Sequence, residues 1–560
     1  MKKFFLLVAC FFILISCFNA RGQYSVNFVE DIIDSLDQIQ PAHFKNLQPK
    51  GKPYVIKINN QKQFDRINDE LTKAITEGKK NIRVKIKRGE YHFHENHIIR
   101  KDENSDVSIV IEGKQALLTS DVKYTEEPES PWQELKYADS LLEVVDESKK
   151  LCFIPWTNSI GENEKNNYTK VQVLQWYKSI VYDVVNIDEK GIFFVAPEIT
   201  YIKKFGREGY SVNLDYLYGR TIPRFRLFDA TKERECLATC FVKLQNSSYK
   251  YFILKGLQIN GNKEGASLIS LKDVSAERIT VTDCKFSNIR SSVVKCIKTS
   301  NVEVDKNVIR KTDGDELYFS GGCSNIIVTK NYFKDNGLCL TNKRCVTCIE
   351  AEYYVAYNTF VDFGRTAIGV GVWHGAEKKH SSKGIIEHNE IYYTSQYFTE
   401  YRKHTLMDSG ALYVWTQNDE VIIRYNYIHD YIGAKDNRGI FCDDGASNVK
   451  IYGNILINIP NGHNIDSRMV VDQREDFRNN SNNFIANNII DGTIRFMGQT
   501  DEQRHCIKGC NYLLMNKKES QRNNRIMNLE YAGGDVTIKN WKYKDGRLII
   551  PKEYRSIVKM

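Results

Sequence analysis

The sequence predicts an all-β protein: a right-handed parallel β-helix with an N-terminal helical cap and an inserted antiparallel β domain. Three observations carry this reading. First, from Tyr251 to about residue 500 one short pattern recurs, as in ITVTDCKF from Ile279, IIVTKNYF from Ile326 and VIIRYNYI from Val421. Its marker positions are Cys284, Asn307, Asn331, Asn358, Asn389, Asn426, Asn454 and Asn488, with gaps of 23, 24, 27, 31, 37, 28 and 34 residues. A floor near 23 with longer members made by insertion signals stacked coils. Second, apolar residues alternate with period two inside each member, which makes them strands, and the Leu framework of a leucine-rich repeat is missing. Such coils stack at about 4.8 Å and cross over right-handedly. Third, a helical pattern leads into the first strands, as a cap over the open end of a solenoid requires.

Taken in order, residues 1–22 read as a targeting segment. Lys2-Lys3 precede an apolar run from Phe4 to Ile15. Leu14-Ile15-Ser16-Cys17 resembles the bacterial lipobox, which implies lipidation at Cys17 and an exported protein of the periplasm or outer membrane. Ordinary secretion, with cleavage near Ala20, is the other reading. No later apolar run is long enough to span a bilayer, so membrane contact is expected only through a lipid anchor.

Residues 23–125 are expected to hold a short helix near 28–39, an amphipathic helix from Lys62 to Ile75, and strands from Ile82 and Val107. From 126 to 250 the strands 171–177, 179–187 and 191–197 show no repeat spacing, hence an inserted antiparallel domain. Coils then fill 251–500, and 501–560 closes the far end. The marker Asn suits a turn where its amide bonds the equivalent residue one coil away.

Net charge is +9 over 560 residues, and +7 without Lys2 and Lys3. That is mild and scattered. It permits an acidic polysaccharide and excludes the basic tracts of a nucleic-acid partner. The 14 Cys are spread widely. Cys345-Val-Thr-Cys348 has no completing pair for zinc, so buried thiols or an occasional disulfide are expected, with no metal and no cofactor. A monomer is expected.

The long coils carry inserts at 366–383, 395–407 and 431–438, and inserts gather on a binding face. The same coils carry acids: Asp408 in DSGALY, and Asp443-Asp444 in GIFCDDG. Glycosidic hydrolysis needs one carboxylic acid to protonate the leaving oxygen and a second carboxylate to activate water or attack carbon. Two adjacent Asp repel, which holds one protonated as an acid catalyst requires. The competing reading is turn chemistry: Asp313-Gly-Asp315-Glu316 lies as far before Asn331 as Asp408 does before Asn426. His374, Glu350 and Arg365 are candidate substrate-binding residues. His429 reads as a turn residue.

The run DSGALY…NYIHD…GIFCDDG resembles the β-helical glycoside hydrolases of family 141, which show D-x-G-A-I-Y and G-I-Y-x-D-D segments. Asn358–Arg365 and His388–Ile391 look like that group too. The resemblance is specific over about 350–460 and implies catalytic acids at Asp408 and at the Asp443/Asp444 pair. Phe441 and Cys442 depart from the pattern, and insert lengths differ, so a substrate does not carry over. Two other classes stay open. A polysaccharide lyase would use a Lys or Arg base on a uronate, with Asp313, Asp315 and Glu316 holding Ca²⁺. A non-catalytic glycan-binding surface lipoprotein would show no turnover.

Overall fold

The computed structural model describes most of residues 49–498, with 33–39, 542–544 and 547–549. The larger breaks fall at 121–132, 135–142, 156–168, 212–223, 229–239, 373–381, 395–409 and 470–483. From Tyr54–Ile58 to Ile494–Gly498 the strands stack in parallel as a right-handed β-helix. Each full coil has three faces. The first holds Val294–Ile297, Thr366–Gly371, Leu412–Trp415 and Asn437–Asp443. The second holds Ser300–Asp305, Lys383–Glu387, Val421–Arg424 and Val449–Tyr452. Long bent strands, Leu317–Thr329 and Arg344–Ala356, run across both, so these faces join in one 19-stranded sheet. The third face, from Gly89–His92 to Ile489–Ile490, is an 11-stranded sheet.

Alternation sends every second side chain inward. On the first face Val294, Leu317, Val346, Ile368, Leu412 and Ile440 stack in register and are fully buried. The corner before the third face explains the marker. The preceding residue is left-handed at Asp283, Lys306, Lys330, Tyr357, His388 and Tyr425, with φ between 54° and 58°. The marker Asn then turns inward. Its Oδ1 accepts the backbone N–H of the marker below, as in Asn307 to Asn331 at 2.9 Å and Asn331 to Asn358 at 2.9 Å. Its Nδ2 donates to the marker above, and the ladder runs unbroken from Cys284 to Asn488. Every buried polar group in it is satisfied by the neighbouring coil.

The cap is two helices, Gln61–Asp65 and Ile67–Thr76, where one was expected, with Arg66 between them. Asn60 caps the first by accepting the Gln63 N–H at 3.0 Å. Phe64, Ile67, Leu71 and Ala74 close the end of the core. The antiparallel insert is present as a seven-stranded sheet with its own core around Ile154, Val173 and Phe194. It interrupts the sequence but not the stack. Ile98–Arg100 pairs with Val242–Leu244, and Ser108–Glu112 with Tyr251–Lys255. The coils thus resume in the strand Val242–Lys255, which straddles the expected boundary at 250.

The short helix expected in the leader occupies residues 33–37 and lies across the outer side of the second face. Leu36 packs there on Ile385, Ile422 and Tyr452. Buried Arg424 ties this strap down, donating to the Leu36 carbonyl at 2.9 Å and to Asp37 at 3.2 Å while paired with Glu387.

Two expectations change. The stretch from Thr366 opens with a regular strand, so any inserted residues begin after Val372. His429 is not in a turn: it ends the strand Tyr427–His429 on the third face. Its ring stacks on Tyr392 and Tyr427, and Nδ1 lies 2.7 Å from Asp430. The eight described Cys are all buried and free.

Candidate active site

Two of the functional candidates, Asp443 and Arg365, meet on the outer side of the first face. Register fixes two outward columns there. One runs Lys295, Tyr318, Thr347, Gly369, Tyr413, Phe441, and the other Ile297, Ser320, Ile349, Gly371, Trp415, Asp443. One coil therefore presents only glycine, at 369 and 371, between coils that present large side chains. The neighbours lie down in that gap. A Cβ at Gly371 would sit 2.2 Å from the Trp415 carbonyl oxygen, and one at Gly369 would sit 2.3 Å from Arg344 Cδ and 3.3 Å from the Trp415 ring. Arg344 reaches up from one side and Trp415 down from the other. The guanidinium is 4.8 Å from the Trp415 ring centre.

Around this contact the patch is aromatic and charged. Arg365 lies 5.5 Å from the Tyr413 ring centre, and Arg438 lies 4.2 Å from that of Phe441. The Tyr413 hydroxyl donates to Asp443 Oδ2 at 2.9 Å. Asp443 is 5% exposed and Trp415 3%, although both face away from the coil interior. Burial and the neighbouring Arg365 lower the Arg344 guanidinium to about 10. An aromatic floor beside a carboxylate and several arginines suits a sugar ring and its polar edge.

Of the residues singled out in the sequence, the structure brings Asp443 and Arg365 together through Tyr413. Glu350 stands apart, in the left-handed corner (φ 50°) that bends its strand from the first face to the second. Asp408, Asp444, His374 and Cys17 lie outside the described residues. Asp466, passed over in the sequence, takes the position next to Phe441 in the following coil. One coil and two residues separate its backbone from that of Asp443, about 8 Å.

Of the three acids offered for Ca²⁺, Asp313 lies outside the described residues, and the other two do not converge. Asp315 and Glu316 are successive strand-edge residues and point opposite ways. Asp315 accepts the Arg344 N–H and the Thr347 hydroxyl, both at 3.1 Å. Glu316 points inward, accepts from Thr312 at 2.7 Å, and burial holds its carboxyl well above the ordinary range. Among the described residues no group of His, Cys, Asp and Glu is arranged to hold a metal ion.

The family model described as "Right handed beta helix region" matches residues 235–380 and 269–472. Curated proteins show no match to the chain. The solved structures similar to it include three that follow. One is the Gp54 tailspike of Acinetobacter baumannii bacteriophage AP22, in complex with A. baumannii capsular saccharide, at 10% identity over 77% of this chain and 76% of that one, TM-score 0.23. Another is a GH136 lacto-N-biosidase from Eubacterium ramulus, at 12% identity over 77% and 61%, TM-score 0.30. The third is a PL6 family polysaccharide lyase from Pseudopedobacter saltans, at 12% identity over 87% and 100%, TM-score 0.33. At these scores the likeness carries no argument about chemistry.

Besides Asp466, the residues the sequence reading missed include Arg344, Tyr413, Trp415, Arg438 and the two glycines. Arg344 and Trp415 are 71 residues apart, and only the register of the coils brings them together.

Proposed function

We propose that the protein is an exported glycoside hydrolase, lipidated at Cys17, that cleaves a glycosidic bond in a polysaccharide or oligosaccharide at the outer patch of the first face. The observation that carries this reading is Asp443: an acid on the outer wall, bonded to Tyr413, beside Trp415 and the arginines. A buried carboxyl next to a sugar platform is suited to proton transfer. The resemblance of 408–445 to family 141 agrees with that role. The second carboxyl belongs to Asp408, Asp444 or Asp466.

The test is turnover on a panel of plant and host glycans by the wild type beside Asp443→Asn, Asp466→Asn and Asp408→Asn. Asp443→Asn is expected to lower turnover by about 10²- to 10⁴-fold. Full turnover in that variant removes the site. The lyase is the second reading, favoured by Arg344, a cation with a lowered pKa at the patch. An unsaturated product absorbing in the ultraviolet would replace hydrolysis with elimination.

A further inference from the structure

We propose that the patch takes an anionic sugar, and that Arg344 is the residue that recognises its carboxylate or sulfate. The inference rests on the reading of the patch as a carbohydrate site. Asp315, the acid whose charge acts on the Arg344 guanidinium, makes its hydrogen bonds to other groups. Its Oδ1 accepts the Arg344 backbone N–H and the Thr347 hydroxyl, and its Oδ2 lies 3.8 Å from Lys343 Nζ. The Arg344 head lies over the Trp415 ring at 4.8 Å and near the Tyr413 ring at 6.0 Å, in the space that Gly369 leaves open; burial and Arg365 outweigh the opposite charge of Asp315 there. Its Nε, buried, has no hydrogen-bond partner among the described residues. Arg365 adds a second positive charge close enough to depress its pKa.

Such a placement is unfavourable until an anion arrives. A desolvated cation beside a like charge gains most from a planar oxyanion that accepts from its fork of donors. Sugar chemistry fits the arrangement. In a uronate or a sulfated pyranose the charge projects from the edge of the ring. A ring that approaches the patch at its half-buried members, Tyr318, Arg344 and Arg365, presents that edge to Arg344.

The experiment measures binding by the full chain. The probes are oligogalacturonate, oligoglucuronate and a sulfated galactan oligosaccharide, each beside its carboxyl-reduced or desulfated form. At least one charged probe is expected to bind about tenfold or more tighter than its neutral counterpart. The arms separate carboxylate from sulfate. Arg344→Gln is expected to abolish the preference. Gly369→Ala keeps the arginine but displaces it, and is expected to weaken binding of the charged probe alone. Asp443→Asn is expected to retain the preference while losing turnover. A charge preference without turnover in the wild type would therefore sink the hydrolase reading and leave this one standing. Equal binding of charged and neutral probes, no binding of any charged probe, or a preference that survives both Arg344→Gln and Gly369→Ala overturns it.

Discussion

Glu316 is an acid set into an apolar wall, and its chemistry can be read in stability. Burial keeps it protonated in the folded chain far above the pH at which the unfolded chain releases its proton. Above the ordinary Glu pKa the unfolded state therefore binds fewer protons than the folded one, and stability falls as pH rises towards the folded pKa. Glu316→Gln removes that slope while keeping an acceptor for Thr312. The variant is expected to match the wild type at pH 4 and to melt higher at pH 8. Thermal unfolding across that range checks it, and parallel curves would contradict the assignment.

Among elements, the strap over the second face depends on one cation. Arg424 bonds Glu387, Asp37, Tyr452 and the backbone carbonyls of Leu36 and Ile39. Arg424→Ala leaves the buried Glu387 carboxylate without its cation and with the Tyr354 hydroxyl still bonded to it, which costs about 3 kcal/mol. It also releases residues 33–39. Limited proteolysis is expected to cut within them in the variant before the solenoid is attacked, and chemical denaturation to report the loss of stability. Elements of this kind divide into those a sequence shows and those it hides. The coils and the Asn ladder were legible because their rules are local: alternation within a strand, an amide after a left-handed corner. The patch was mostly not. Gly369 and Gly371 carry no signal of their own in the sequence, and their meaning appears only when Trp415 and Arg344 are known to lie over them. Asp443 was legible as an acid, but its partner Tyr413 lies 30 residues away, at a distance set by an irregular insert. Glu316 misled for a related reason, since neighbouring acids on a strand point to opposite sides.

At the scale of the whole molecule, the antiparallel domain is an ornament on an unbroken stack. The Ser120 N–H bonds Asn260, and the His97 N–H bonds Cys240, so the coil that ends at 120 lies directly under the one that starts at 240. Neighbouring coils elsewhere join through turns of a few residues, as from Ile289 to Val294. Replacing 121–239 by a four-residue Gly/Ser turn is therefore expected to yield a soluble, cooperatively unfolding β-protein with the stability of the wild-type solenoid, since each coil depends chiefly on its immediate neighbours. Aggregation of that variant would show that the insert supports the stack.

The strap also sets an order of events. Asp37 meets Tyr425 and Tyr452, which are 388 and 415 residues later in the chain. At ribosomal speeds of about 5–20 residues per second, its docking surface emerges roughly 20–80 s after it does. Whatever carries the nascent chain must keep this segment unattached for that interval. The clasp nearest the beginning of the polypeptide is thus among the last to shut.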